Sequence, residues 1–116
     1  MTRGGGMIDF AAAGGIEEGR LERCLDLQVR RLGGGRYFVS GGYEPHYVDL
    51  RPPWLPRCDC GDHLWRERVC KHILAALLRE GDELVIQEVG ALVRGMRAVL
   101  REAARARRRW ARRAAA

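Results

Sequence analysis

Cys58-Asp59-Cys60, nine residues, then Cys70-Lys71-His72: this short stretch holds three of the chain's four cysteines and one of its three histidines. In an extended strand, side chains two positions apart point the same way, so Cys58 and Cys60 can aim two thiolates at one point. Cys70 and His72 can do the same only if Cys70 lies before the following helix, because positions two apart within a helix do not face each other. Three sulfurs and one nitrogen make a closed tetrahedral set for structural Zn²⁺. The bland alternative is a chance cluster of reduced core cysteines, against which stands the pairing of Cys/His ligands, a zinc pattern. A disulfide is disfavoured, since Cys-x-Cys neighbours bridge poorly and nothing marks the chain as secreted.

The flanking residues are Cys58-Asp59-Cys60-Gly61-Asp62 and Cys70-Lys71-His72-Ile73-Leu74-Ala75-Ala76-Leu77-Leu78. They resemble the SWIM-type zinc finger, whose pattern is Cys-x-Cys, a variable loop, Cys-x-His and an apolar helix, commonly after a β-rich segment. The resemblance covers about residues 27 to 80. It departs after Cys60, where the family often has Pro-Asp-aromatic and this chain has Gly61-Asp62-His63. The ligands are untouched by that change; the packing of the loop is left open. The resemblance implies DNA binding and protein–protein contacts. It further implies a free-standing finger working beside a helicase, transposase or recombination partner, since the family's fingers occur in such proteins.

Outward from the knuckle, the expected fold class is α+β: a small zinc-stabilised domain followed by a long C-terminal helix. The domain comprises an N-terminal helix, a three-stranded antiparallel sheet, the Cys-x-Cys/Cys-x-His knuckle and a helix. Residues 1–15 read as a flexible tail, 16–81 as the finger domain and 82–116 as an amphipathic, Arg-rich helix. Ile16 to Asp26 forms the first helix, with Glu17 and Glu18 at its dipole-favoured N-terminal end and Leu21, Cys24 and Leu25 as its apolar face. Cys24 is therefore expected in the core as a small hydrophobe rather than as a ligand. Strands are expected from Leu27, over Tyr37-Phe38-Val39, and over His46 to Leu50, separated by the Gly33-Gly34-Gly35 and Gly41-Gly42 turns. Arg51 to Pro56 is neither helix nor paired strand; its Trp54 is expected to cover the apolar side of the metal site. His46 reads as a sheet histidine and His63 as a weaker competitor of His72. Gly61 to Val69 reads as a loop. The helix Lys71 to Glu80 places Ile73, Leu74, Leu77 and Leu78 on one face and ends at Gly81, with Asp82 capping the next helix.

That last helix, Glu83 to about Arg113, carries an apolar stripe in steps of four and three: Val85, Val89, Leu92, Met96, Val99, Ala103, Ala106 and Trp110. It either packs on its own domain or pairs with a second chain, as a homodimer or with another protein. Its end is crowded with Arg101, Arg105, Arg107, Arg108, Arg109, Arg112 and Arg113. Residues 94–116 hold nine Arg against Glu102 alone, a net +8, while residues 1–93 come to −2. Arg clusters of this density suit phosphate backbones. The expected partners are therefore nucleic acid, bound non-specifically and most simply as DNA, and/or an acidic protein. A pure protein-interaction module is the alternative.

At 116 residues there is room for one small domain, and a core this size benefits from a metal staple. No apolar run is long enough for a membrane helix, and Met1 to Gly15 lacks a signal-peptide core. A cytoplasmic (or nucleoid/nuclear) setting follows. No catalytic constellation is visible. A hydrolase built on Asp62 or His63 beside a three-ligand zinc is the enzymatic alternative, and the closed four-ligand set argues against it.

Overall fold

The computed structural model describes Phe10 and residues 15–52 and 56–115. The elements run α1 (Glu18–Cys24), β1 (Gln28–Gly33), β2 (Arg36–Ser40), β3 (His46–Asp49), β4 (Arg57–Cys58), α2 (Gly61–Arg66), α3 (Lys71–Arg79) and α4 (Glu83–Ala115). The strands form one antiparallel sheet in the order β1-β2-β3-β4. The class is α+β, as expected, with one strand more than the three read from the sequence. The extra strand, Arg57–Cys58, pairs with Val48 and Asp49 as soon as the prolines of the connector are passed and backbone N–H groups are again available.

Alternation along the strands decides which side is core. Tyr37, Val39, Val48 and Cys58 are buried, while their neighbours Arg36, Tyr47 and Arg57 are exposed. The tight connections come from glycines: Gly33, Gly34 and Gly35 sit at φ +92, +64 and +81 between β1 and β2. α3 lies across the buried face of the sheet, and α1 and α4 pack on it from the other side. Ile73, Leu74, Ala76 and Leu77 are all fully buried, so α3 is the central helix, apolar nearly all round.

α3 stops as the Gly81 reading requires. Gly81 adopts φ +82, its N–H bonds Leu78 O at 3.1 Å, and Asp82 N–H bonds Leu77 O at 2.9 Å, the double bond of a Schellman cap. Asp82 Oδ1 then accepts from Val85 N–H at 3.1 Å and starts α4. α1 is shorter than Ile16 to Asp26: it is capped by Glu17, whose carboxylate accepts from Gly19 and Arg20 N–H. Leu25 lies past the helix end and is exposed, so the apolar face is Leu21 and Cys24. Gly61 to Val69, read as a loop, contains the six-residue α2, which Cys60 caps.

Val85 belongs to the core, and Val89 and Leu92 pack against it. Beyond them α4 continues unbroken through Gly95 to Ala115 and leaves the body, giving an elongated molecule of 63 × 30 × 25 Å. Of the tail read over residues 1–15, only Phe10 and Gly15 are described, and Phe10 packs against the core. Trp54 lies outside the described residues. Among the described residues no helix is long and apolar enough to cross a membrane.

Candidate metal centre

Three different elements bring the four expected ligands together. Cys58 ends β4, Cys60 is the N-cap of α2 and Cys70 the N-cap of α3. Cys70 has extended backbone, φ −88 and ψ 172, and precedes the helix as the Cys-x-His geometry demands. One ligand atom from each of Cys58, Cys60, Cys70 and His72 lies within 4.8 Å of all the others, and all four residues are buried. Tetrahedral Zn–S bonds of about 2.3 Å would set the sulfurs about 3.8 Å apart, so the cluster needs only a slight contraction around an ion.

The donor chemistry fits a metal ion. His72 is 5% exposed, and its Nδ1 is buried with no hydrogen-bond partner. Leaving such an atom unpaired costs about 1–3 kcal/mol, a cost that coordination through Nδ1 would remove. The thiols cannot all ionise unaided. Hydrogen bonding to Cys60 and Cys70, then burial, pushes the Cys58 thiol far above the ordinary range. Hydrogen bonds from Cys58 and Cys70 pull Cys60 far below it. A dication would hold all three as thiolates. Cys60 and Cys70 also sit at helix N-termini, where the backbone dipole favours negative sulfur.

The surroundings orient the ligands. Asp59, between Cys58 and Cys60, accepts from Tyr47 N–H at 3.1 Å, and its carboxylate meets His46 Nδ1 at 2.8 Å. The His46 ring packs 4.6 Å from the His72 ring. His46 is thus a sheet histidine outside the ligand set, but it buttresses a ligand. His63 is also outside the set. It is buried, and its Nδ1 lies 2.8 Å from Arg68 O. Cys24 is buried away from the cluster, its thiol pushed up to about 11 by burial and by Asp26.

Sequence reasoning missed the lock between α1 and the knuckle. The Arg20 guanidinium, 7% exposed overall, forks onto Asp62 at 2.6 and 2.7 Å and also reaches Glu17 at 2.8 Å. That hydrogen bonding holds the Asp62 carboxyl below the usual carboxylate range. Nothing local in the sequence pairs residues 42 apart.

The seven Arg expected to contact nucleic acid, Arg101, Arg105, Arg107, Arg108, Arg109, Arg112 and Arg113, are all exposed on α4. The unbroken helix sorts them. Arg94, Arg97, Arg101, Arg105, Arg108 and Arg112 follow one another in steps of three and four, a single stripe about 27 Å long. At 3.6 residues per turn, this stripe lies on the side of the helix opposite Leu92, Met96, Val99, Ala103, Ala106 and Trp110. Arg94 and Arg97 were missed because density, not spacing, drew attention to the final turns. The same three-four period that marks the apolar seam would have found them.

No protein-family model, no curated protein and no solved structure matches this chain.

Proposed function

We propose that the chain is a SWIM-like module in which zinc, held by Cys58, Cys60, Cys70 and His72, staples the fold, and in which α4 binds nucleic acid without strong sequence preference. The Arg stripe carries this reading: six exposed guanidiniums on one helix face, with no acid among them. Such a row meets successive phosphates of a backbone and contains no base-reading pattern. Zinc is the favoured ion because three thiolates and an imidazole complete its tetrahedron. That closed shell leaves no open position for substrate, so the module acts by binding rather than by catalysis.

Changing Arg101, Arg105, Arg108 and Arg112 together to Gln tests it. Four lost phosphate contacts should flatten the log–log salt dependence of duplex DNA affinity by about 3.6. Unchanged duplex affinity and slope in this variant would refute the reading.

A second reading, compatible with the first, concerns the opposite face. Met96, Val99, Leu100 and Trp110 are 46 to 70% exposed, on a helix end that the body does not cover. We propose that this seam packs on another helix, of a second copy or of a helicase-, transposase- or recombination-type partner, leaving the Arg stripe outward.

A further inference from the structure

We propose that the outer face of the sheet is a stacking platform for unpaired nucleotides, with a base on Tyr47 and flanking phosphates on Arg30, Arg36 and Arg57. Strand register builds it. Arg30 pairs with Phe38 and Phe38 with Tyr47, so these three form one row across β1, β2 and β3. Arg36, Asp49 and Arg57 form the neighbouring row across β2, β3 and β4. Both rows point away from α3, because Tyr37, Val39 and Val48 take the buried side.

The chemistry of the rows is specific. The Phe38 and Tyr47 rings meet edge to face, centroids 5.3 Å apart, and the Arg30 guanidinium sits 5.0 Å over the Phe38 ring. Arg30 thus covers Phe38, while Tyr47 stays 57% exposed as the open aromatic surface. Beside Tyr47 a cavity of about 540 Å³ is bordered by Leu32, Arg36, Asp49, Arg57 and Leu64, within the usual size of small-ligand sites. Its apolar walls, Leu32 and Leu64, are themselves exposed. An aromatic ring with apolar flanks and an Arg rim suits a flat base and its phosphates.

Charge favours this occupant. The carboxylates that border the cavity are engaged: Asp49 takes a fork from Arg51 at 2.9 and 2.7 Å, and Asp59 holds His46 and Tyr47 N–H. Arg30, Arg36 and Arg57 remain exposed. A paired base, stacked inside a duplex, cannot lie on a Tyr ring of a sheet, so the platform selects unpaired strands. It shares its ligand class with the α4 reading but not its surface, since α4 packs on α1 and α3.

The test uses the full-length, zinc-loaded protein and fluorescence anisotropy with labelled fifteen-nucleotide oligo-dT, oligo-rU and a duplex. Tyr47→Ala should weaken the single strands roughly tenfold and leave duplex affinity within twofold, while Tyr47→Phe should bind single strands like the parent. Arg36→Gln with Arg57→Gln should lower the single-strand salt slope by about 1.4. The tighter of dT and rU identifies the natural strand. Repeating Tyr47→Ala on the α4 Arg-to-Gln background separates the two surfaces: a further single-strand loss there supports the platform even if α4 binds no duplex. Single-strand affinity within twofold of the parent for Tyr47→Ala, at unchanged zinc content, overturns the proposal. So does single-strand binding that a duplex abolishes by competition and Tyr47→Ala does not alter.

Discussion

If Cys58, Cys60, Cys70 and His72 hold zinc as proposed, replacing Cys70 by Ser should cost the protein both the ion and its sheet. Cys70 is fully buried at the junction of the knuckle and the central helix, and with Cys58, Cys60 and His72 it gathers β4, α2 and α3 at one point. Metal sites of this type contribute about 10–16 kcal/mol. A body of this size gains only about 3–5 kcal/mol from its core. The metal-free state also keeps an orphaned His72 Nδ1 and three crowded thiols, about 1–3 kcal/mol against folding. The metal-free body therefore lies within a few kcal/mol of unfolding at 25 °C. Helical circular dichroism is a poor readout, because α4 spans 33 residues and everything beyond Leu92 stands clear of the core. The amide NMR dispersion of β1 to β4 reports the fold directly. Elemental analysis should find one zinc per chain in the parent and in Cys24→Ser, and none in Cys70→Ser. A chelator should collapse the strand resonances of the parent. Native dispersion after verified metal removal would refute the reasoning, as would zinc kept in Cys70→Ser and lost in Cys24→Ser.

Asp62→Ala strips the buried Arg20 of its fork and should destabilise the fold by about 2–3 kcal/mol in urea titrations, whereas Arg66→Ala, an exposed partner of the same carboxylate at 3.5 Å, should cost less than about 0.5 kcal/mol. Equal losses would show that the lock is a surface pair. The Cys24 thiol, ordinarily near 9 and raised to about 11 in the fold, stays neutral where the unfolded thiol ionises. The Cys24 contribution to stability is therefore constant below pH 9 and falls between pH 9 and 11 by up to about 2–3 kcal/mol, and Cys24→Ala should remove that part of the slope. If the seam pairs two copies, sedimentation should give a dimer that Val99→Asp dissociates without loss of zinc; a strict monomer at high concentration leaves the hetero-partner alone.

Local chemistry was enough for much of this protein. The two ligand pairs, the Gly81 stop, the Asp82 cap and the three longer strands rest on residues a few positions apart, whose spacing, φ freedom or alternation acts within one turn or strand. The face of α3 was legible only in part. Its stripe of Ile73, Leu74, Leu77 and Leu78 marks one side, but Ala75 and Ala76 are buried too because α1 and α4 close the other. β4 escaped notice because two residues carry no period; only pairing with β3 makes Arg57–Cys58 a strand. The Arg20–Asp62 fork, His46 against His72, and the Arg30–Phe38–Tyr47 row join residues distant along the chain. Charge, ring stacking and burial act through space, so those juxtapositions had to wait for the sheet register and the packing of α1 on the knuckle. The length of α4 and both its stripes are written in the sequence, while the point at Leu92 where the core stops covering the helix was decided by the size of the folded body.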